Sequence, residues 1–221
     1  MLRESFPCTL VSWEESARLA RQLAGVIRAD GYRPDLVIAI GRGGYVPARV
    51  VCDSLLHDML TSIKVEHWGI AARKKAEVVV RFPLAVDIRG RCVLIVDDVT
   101  DTGDTLAVTV DHVASLGPAE VRTAVLQHKN TSRHTPDYFA EFVTGWSWII
   151  YPWAVHEDLV GFAARVMGSK AQFFEEIKAK LAARFAIRVA DDDLRAALED
   201  LVAMGEAEQV GVLYRAVQGP D

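Results

Sequence analysis

Two chemically distinct groups of residues stand side by side in the middle of the chain. Asp97 and Asp98 form an adjacent carboxylate pair, and residues 101–105, DTGDT, form a threonine-rich segment around one glycine. A glycine-containing loop that leads into a helix offers free backbone N–H groups and a positive dipole end, which suit a phosphate. Adjacent carboxylates repel phosphate, so they require hydroxyl donors or a metal ion instead. Together the two groups fit a sugar phosphate; the alternative is a solvated, capped turn without a ligand.

The residues around this segment predict a buried strand before it and a helix after it. Cys92–Val96 is a continuous apolar run rich in β-branched residues, which is typical of a parallel strand covered on both faces. Leu106, Val110 and Val113 then repeat at helical spacing. In open α/β sheets ligands bind beyond the carboxyl ends of the strands, so we expect the acidic turn to lie at a binding site.

A second glycine-rich turn follows another predicted strand. Asp35–Ile40 is a buried-type apolar run, and it leads directly into GRGG, residues 41–44. Glycines let the backbone approach a ligand closely, and Arg42 adds one cation. Alone this would be an ordinary tight turn, but beside the acidic segment Arg42 and Gly43 become candidates for binding an anionic group.

Both turns resemble motifs of one enzyme family. The run VLIVDDVTDTGDT, residues 93–105, resembles the phosphoribosyl-diphosphate motif of type I phosphoribosyltransferases, and GRGGYVPARV, residues 41–50, resembles their diphosphate-binding loop. The resemblance covers residues 10–165 and is greatest to the xanthine–guanine branch of the purine enzymes, including archaeal-type relatives. One departure is Asp104, because family members often carry a small or basic residue there; we expect its carboxylate to point away from the phosphate.

The resemblance implies a reaction and a set of binding residues. The enzyme would transfer the 5-phosphoribosyl group from phosphoribosyl diphosphate to a 6-oxopurine and release diphosphate, in purine salvage, with Mg²⁺ as cofactor. Substrate binding is implied for Arg42, Gly43, Asp97, Asp98, Thr102, Gly103, Asp104 and Thr105.

Each acid has an implied role. Asp97 and Asp98 hold the ribose hydroxyls and, through those hydroxyls or water, a metal ion. Asp101 lies between the acid pair and the phosphate loop, where the family places a carboxylate near the purine imidazole. It would act there as a general base or an electrostatic stabiliser.

Binding of the purine base is assigned to a lysine and an aromatic segment. Lys129 follows a predicted strand, and its ammonium has hydrogen-bond donors only, which favours a carbonyl at C6 of a purine. The string SWIIYPWA, residues 147–154, resembles the base-binding segment of xanthine–guanine enzymes, with Trp148 and Ile149 against the base. Family members often carry acids where Ile150 and Ala154 stand, so the preferred 6-oxopurine stays open.

Residues 68–75 correspond to a mobile flap in the family. This stretch contains three consecutive cations, Arg73, Lys74 and Lys75. A flap that closes over the reaction centre would exclude water from an oxocarbenium-like sugar. The alternative is a solvated hairpin tip.

The bulk composition excludes several other classes. A formal net charge of −5 argues against a nucleic-acid partner, and no apolar run reaches transmembrane length. Three scattered cysteines fit neither a disulfide framework nor a zinc site. We expect a cytoplasmic protein that does not bind membranes and forms a homodimer or higher homo-oligomer.

The predicted fold class is α/β, with a mostly parallel, twisted sheet flanked by helices as in type I phosphoribosyltransferases. Residues 1–167 form the phosphoribosyltransferase domain with a small hood, and residues 170–221 a small helical, winged-helix-like appendage. The appendage has more acidic than basic residues, the wrong sign for a DNA-binding surface. Two alternatives remain: a non-catalytic purine or phosphoribosyl-diphosphate sensor that regulates transcription, and a nucleotide-binding scaffold without turnover.

Overall fold

A computed structural model describes residues 5–68 and 74–217 of the chain. In chain order the elements are β1 (Cys8–Leu10), α1 (Trp13–Ala29), β2 (Leu36–Gly41), α2 (Tyr45–Leu55), β3 (Leu60–Trp68), β4 (Lys74–Phe82), β5 (Cys92–Thr100), α3 (Asp104–Ala114), β6 (Glu120–Lys129), β7 (Tyr138–Val143), β8 (Trp148–Ile150), α4 (Val155–Val166), β9 (Gln172–Phe173), α5 (Phe174–Phe185), α6 (Asp191–Ala203), β10 (Ala207–Val210) and β11 (Leu213–Ala216). Their contacts divide them into two compact units. The sheet unit comprises residues 12–68 and 74–146, and the helical unit comprises the described residues 5–11 and 147–217.

The sheet unit is built around a six-stranded sheet in the order β4-β3-β2-β5-β6-β7. Strands β3, β2, β5, β6 and β7 pair in parallel, and β4 joins the edge antiparallel to β3. The predicted mostly parallel α/β sheet is therefore confirmed. In a parallel arrangement the carboxyl ends of β2, β5 and β6 meet at one edge, which brings together the segments that follow them.

Burial on both faces explains the unbroken apolar sequences of the central strands. Every residue of β2 is buried, and Ile38 and Ile95 pack with Leu106 and Val113 of α3 on one side of the sheet. Helices α1 and α2 pack against each other; α1 also contacts β6 and β7, and α2 contacts β2 and β5. Ser12 caps α1, since its hydroxyl oxygen accepts the backbone N–H of Glu15 at 3.1 Å.

Strand β5 is longer than the sequence predicted. Its apolar run ends at Val96, but the strand continues to Thr100 because β6 is long enough to pair with it as far as His128. Asp97 and Asp98 are consequently strand residues near the carboxyl end rather than turn residues. Lys129 is likewise the last residue of β6 rather than a residue beyond its end.

The helical unit contains two small sheets and three helices. β1 and β8 pair in parallel, while β10, β11 and β9 form an antiparallel sheet in that order. Helix α4, which the sequence did not predict, packs against α5 and α6, and the rings of Phe162 and Phe185 lie 4.7 Å apart between centroids. Phe6 packs against both rings. The predicted boundary between residues 167 and 170 falls inside this unit, and the division into residues 1–167 and a winged-helix-like 170–221 stays a prediction.

None of the helices formed by residues 5–68 and 74–217 combines the length and the apolar character needed to cross a membrane.

Candidate active site

The acid pair lies near the carboxyl end of β5, with one carboxylate buried and the other half-buried. Asp97 is 9% exposed, and burial raises its pKa well above the ordinary value, an effect that the neighbouring charge of Asp98 increases. The backbone N–H of Asp98 donates to Asp97 Oδ1 at 2.9 Å and opposes this shift only in part. Two crowded carboxylates therefore require hydroxyl donors or a cation to stay ionised together.

The glycine-rich turn after β2 lies directly against this acid pair. The parallel register pairs Ala39 with Val96, so the residues that follow in each strand emerge beside each other. A Cβ added at Gly43 would lie 2.6 Å from Cγ of Asp98, and one added at Gly44 would lie 2.8 Å from the carbonyl oxygen of Ile40. A side chain at Gly44 would collide with backbone, whereas one at Gly43 would require the Asp98 carboxylate to move. The predicted diphosphate loop and the predicted ribose acids are thus in contact.

Arg42 stands at the exposed side of the same turn. Its side chain is exposed, and the peptide bond that joins it to Gly41 is cis. The guanidinium of Arg42 is a planar cation, the type of group that binds phosphate oxygens.

The threonine-rich segment closes into a tight loop at the start of α3. Gly103 has φ 85°, and a Cβ there would lie 2.8 Å from the backbone nitrogen of His134. The backbone N–H of Arg133 donates to the carbonyl of Thr102 at 3.0 Å. The turn after β6 therefore supports the loop from outside, and the N-terminal N–H groups of α3 form its floor.

Asp104 contacts a threonine of its own loop, since its Oδ2 accepts a hydrogen bond from the Thr102 hydroxyl at 2.9 Å. The direction of its carboxylate relative to a bound phosphate stays a prediction. A carboxylate at the first residue of a helix is stabilised by the helix dipole, as a phosphate would be. One predicted phosphate-binding hydroxyl is consequently already engaged by an acid of the same loop.

Asp101 and Lys129 form a buried ion pair. Lys129 Nζ donates to Asp101 Oδ1 at 3.1 Å, and the two residues are 1% and 8% exposed. Burial lowers the pKa of Lys129, and the attraction of Asp101 opposes that shift. Thr131 adds a hydrogen bond from its hydroxyl to the carbonyl oxygen of Asp101 at 2.9 Å. The predicted general base, Asp101, and the lysine predicted to bind the purine, Lys129, therefore form a direct ion pair.

Trp146 completes this cluster, and sequence reasoning missed it. Its Nε1–H donates to Asp101 Oδ1 at 3.1 Å, and the ammonium of Lys129 lies 5.6 Å from the ring centroid. The aromatic composition of residues 146–153 signalled a functional segment, but the prediction assigned the contact to the next tryptophan along the chain.

Trp148 and Ile149 belong to the helical unit, where each has a defined environment. Trp148 Nε1–H donates to Oδ2 of the buried Asp158 at 3.0 Å, and Ile149 is 8% exposed in the middle of β8. The rings of Tyr151 and Trp153 stack nearby in sequence, with centroids 4.9 Å apart. The assignment of Trp148 and Ile149 to the base stays a prediction.

The oxygen-rich acid pair suits a hard cation. Within the described parts of the chain, no cluster of three or more His, Cys, Asp or Glu side chains could hold a metal ion by itself. Asp97 and Asp98 supply carboxylate oxygens, the ligand type that Mg²⁺ prefers when substrate phosphates and water complete its shell. The acid pair therefore suits a metal ion whose other ligands come from the substrate and water better than one bound by protein side chains alone.

The predicted flap falls largely outside the described residues. Arg73 lies outside them, and Lys74 and Lys75 are described only as backbone of β4.

Comparison with known proteins places these features in a family. The profile of the family described as "Phosphoribosyl transferase domain" matches residues 9–158. The xanthine-guanine phosphoribosyltransferase of Ruegeria sp. (strain TM1040) is 34% identical over 154 residues, which cover 65% of this chain and 83% of the relative. The enzyme of the same name from Cereibacter sphaeroides is 32% identical over 148 residues, covering 65% of this chain and 84% of the relative.

Solved structures agree with the sequence relatives. The purine phosphoribosyltransferase of Pyrococcus horikoshii is 32% identical, with a TM-score of 0.56, covering 66% of this chain and 93% of that one. A hypothetical protein of Neisseria gonorrhoeae with bound ppGpp is 26% identical, with a TM-score of 0.58, covering 67% of this chain and 89% of that one. The matched region contains the glycine turn, the acid pair, the threonine loop and the buried ion pair. The chain therefore belongs to the phosphoribosyltransferase family, as its motifs predicted.

Proposed function

We propose that this enzyme transfers the 5-phosphoribosyl group from phosphoribosyl diphosphate to a 6-oxopurine, namely guanine, hypoxanthine or xanthine, in purine salvage. The single observation that carries the choice of base is the buried pair of Lys129 and Asp101, in which a group with donors only stands beside an acceptor. A 6-oxopurine offers the complement, a carbonyl oxygen and an imidazole N–H. The names of the relatives above support the same substrate class.

The sugar phosphate is held by the strand ends and the threonine loop. The loop from Thr102 to Thr105 and the first N–H groups of α3 bind the 5′-phosphate. Asp97 and Asp98 accept the ribose hydroxyls, while Arg42 and the backbone at Gly43 bind the diphosphate. Mg²⁺ held near the acid pair would offset the diphosphate charge and orient it.

The reaction requires a new bond and a proton acceptor. A purine ring nitrogen bonds to C1′ of the ribose while the bond between C1′ and the diphosphate oxygen breaks. Asp101 accepts the imidazole proton or stabilises the positive charge that develops on the purine. Its buried position strengthens either effect, because the local dielectric is low.

Lys129 sets the preference at C6. Its ammonium donates to a C6 carbonyl, whereas the amino group of adenine would leave a buried donor without an acceptor. A site built around a substrate hydrogen bond can discriminate by factors of about 10⁴–10⁵. Family members often carry acids where Ile150 and Ala154 stand, so the resemblance does not decide among the three 6-oxopurines.

A base panel tests the proposal. Adenine, guanine, hypoxanthine, xanthine, uracil and orotate are each incubated with phosphoribosyl diphosphate and Mg²⁺, and diphosphate release is measured against a reaction without base. We expect release with at least one 6-oxopurine and much less with adenine. Faster turnover of adenine or a pyrimidine than of all three 6-oxopurines would refute the assignment.

The alternative is a non-catalytic purine or phosphoribosyl-diphosphate sensor. Because one structural relative has bound ppGpp, binding of ppGpp should be measured alongside the base panel. Saturable binding of phosphoribosyl diphosphate without diphosphate release for any base would favour the sensor. The cytoplasmic location and the homo-oligomeric state stay predictions.

A further inference from the structure

The hydrogen bond from Trp146 to Asp101 occupies the atom that the proposed reaction uses. Asp101 Oδ1 accepts both the indole N–H of Trp146 and the ammonium of Lys129, each at 3.1 Å. The indole N–H also lies 3.4 Å from Oδ2. A base that donates its imidazole N–H to Oδ1 therefore competes with the indole and the ammonium for that oxygen.

The indole is chemically similar to the base that would replace it. Both are planar bicyclic aromatic rings with an N–H on the five-membered ring. The π-face of the indole also attracts a nearby cation. Lys129 Nζ lies 5.6 Å from the indole centroid, so the same side chain holds both groups of the ion pair.

We propose that Trp146 is an internal surrogate for the purine: its indole N–H and the imidazole N–H of the base are alternative donors to Asp101 Oδ1, so a bound base displaces the indole. This inference rests on the proposed function and adds a positioning residue to it. Trp146 orients the carboxylate and the ammonium in a low-dielectric site. The same contact lowers the affinity for every base, because each base must compete with it.

The consequence can be measured at equilibrium with a product nucleotide. Inosine 5′-monophosphate has no 2-substituent, so its binding does not depend on how the 2-position is recognised. Trp146→Phe retains the aromatic ring and removes the N–H, and we expect it to bind this nucleotide about tenfold more tightly, the scale of one hydrogen bond to a charged group. Ribose 5-phosphate carries no base, so its affinity should be the same in both proteins.

Fluorescence reports the displacement directly. Inosine 5′-monophosphate should change the tryptophan emission of the wild type, and most of that change should be lost in Trp146→Phe. Trp13→Phe is the matched control, because Trp13 is 60% exposed at the start of α1, and it should retain both the emission change and the wild-type affinity. Trp146→Ala serves if the phenylalanine variant does not fold, and it should shift nucleotide affinity in the same direction.

The outcomes separate the inference from the proposed function. Unchanged or weaker nucleotide binding by the folded variants would overturn the surrogate role, and an equal change for ribose 5-phosphate would do the same. A wild-type protein that binds the nucleotide yet transfers no phosphoribosyl group to any purine would overturn the proposed function instead.

Discussion

Replacement of Lys129 by methionine tests whether the buried ion pair contributes to folding as well as to recognition. Methionine fills a similar volume, but it leaves the Asp101 carboxylate buried without its cation. Breaking a buried pair by removing one partner typically costs about 3–5 kcal/mol of unfolding free energy. For a chain of this length each kcal/mol lowers Tm by about 2–4 °C, so we expect a decrease of roughly 6–20 °C.

Thermal denaturation followed by circular dichroism measures this change, with two matched variants. Lys178→Met removes the cation of an exposed pair, in which Lys178 and Asp191 are 42% and 47% exposed, and it should leave Tm unchanged. Lys129→Met combined with Asp101→Asn removes both charges and should recover much of the lost stability. A Tm within about 2 °C of the wild type for Lys129→Met alone would show that the pair is not the stabilising contact we infer.

Three further substitutions probe the chemistry of the site. Asp101→Asn should lower kcat by roughly 10²–10⁴-fold, and steady-state rates within about threefold of wild type would remove Asp101 from the mechanism. Gly43→Ala should raise KM for phosphoribosyl diphosphate, because its Cβ would lie 2.6 Å from Cγ of Asp98; an unchanged KM would mean that the turn can relax. Asp104→Ser should lower KM for phosphoribosyl diphosphate, since it frees the Thr102 hydroxyl and removes a charge that repels the phosphate; a higher KM would assign Asp104 a binding role.

The sequence predicted the fold best where a single apolar strand and the turn that follows it contain all the residues of a motif. The apolar runs before the acid pair and before the glycine turn predicted two parallel strands, and parallel pairing then brought Gly43 against Asp98. The sequence underestimated the length of β5, because Asp97 and Thr100 are polar while their strand pairing depends on β6. The length of β5 therefore depends on its pairing with β6, and the amino-acid composition of β5 alone does not predict it.

Contacts between distant segments could not be predicted from composition or spacing. The hydrogen bond between Trp146 and Asp101 spans 45 residues, and no local pattern distinguishes this tryptophan from Trp148. The hydrogen bond from Thr102 to Asp104 is local, but the sequence alone does not show which donor the carboxylate accepts.

Helix α4 has a consequence for recombination and for chimera design. Near the start of α4, His156 Nε2 lies 2.7 Å from Asp200 Oδ2, and Asp158 accepts the indole N–H of Trp148. Further along the helix, Phe162 packs against Phe185. The family profile ends at residue 158, inside this helix. One helix therefore contains both the end of the family match and residues that contact α5 and α6. A chimera that adds residues 170–221 to a relative should include α4 of this chain, because Phe162 and His156 contact residues of the added segment.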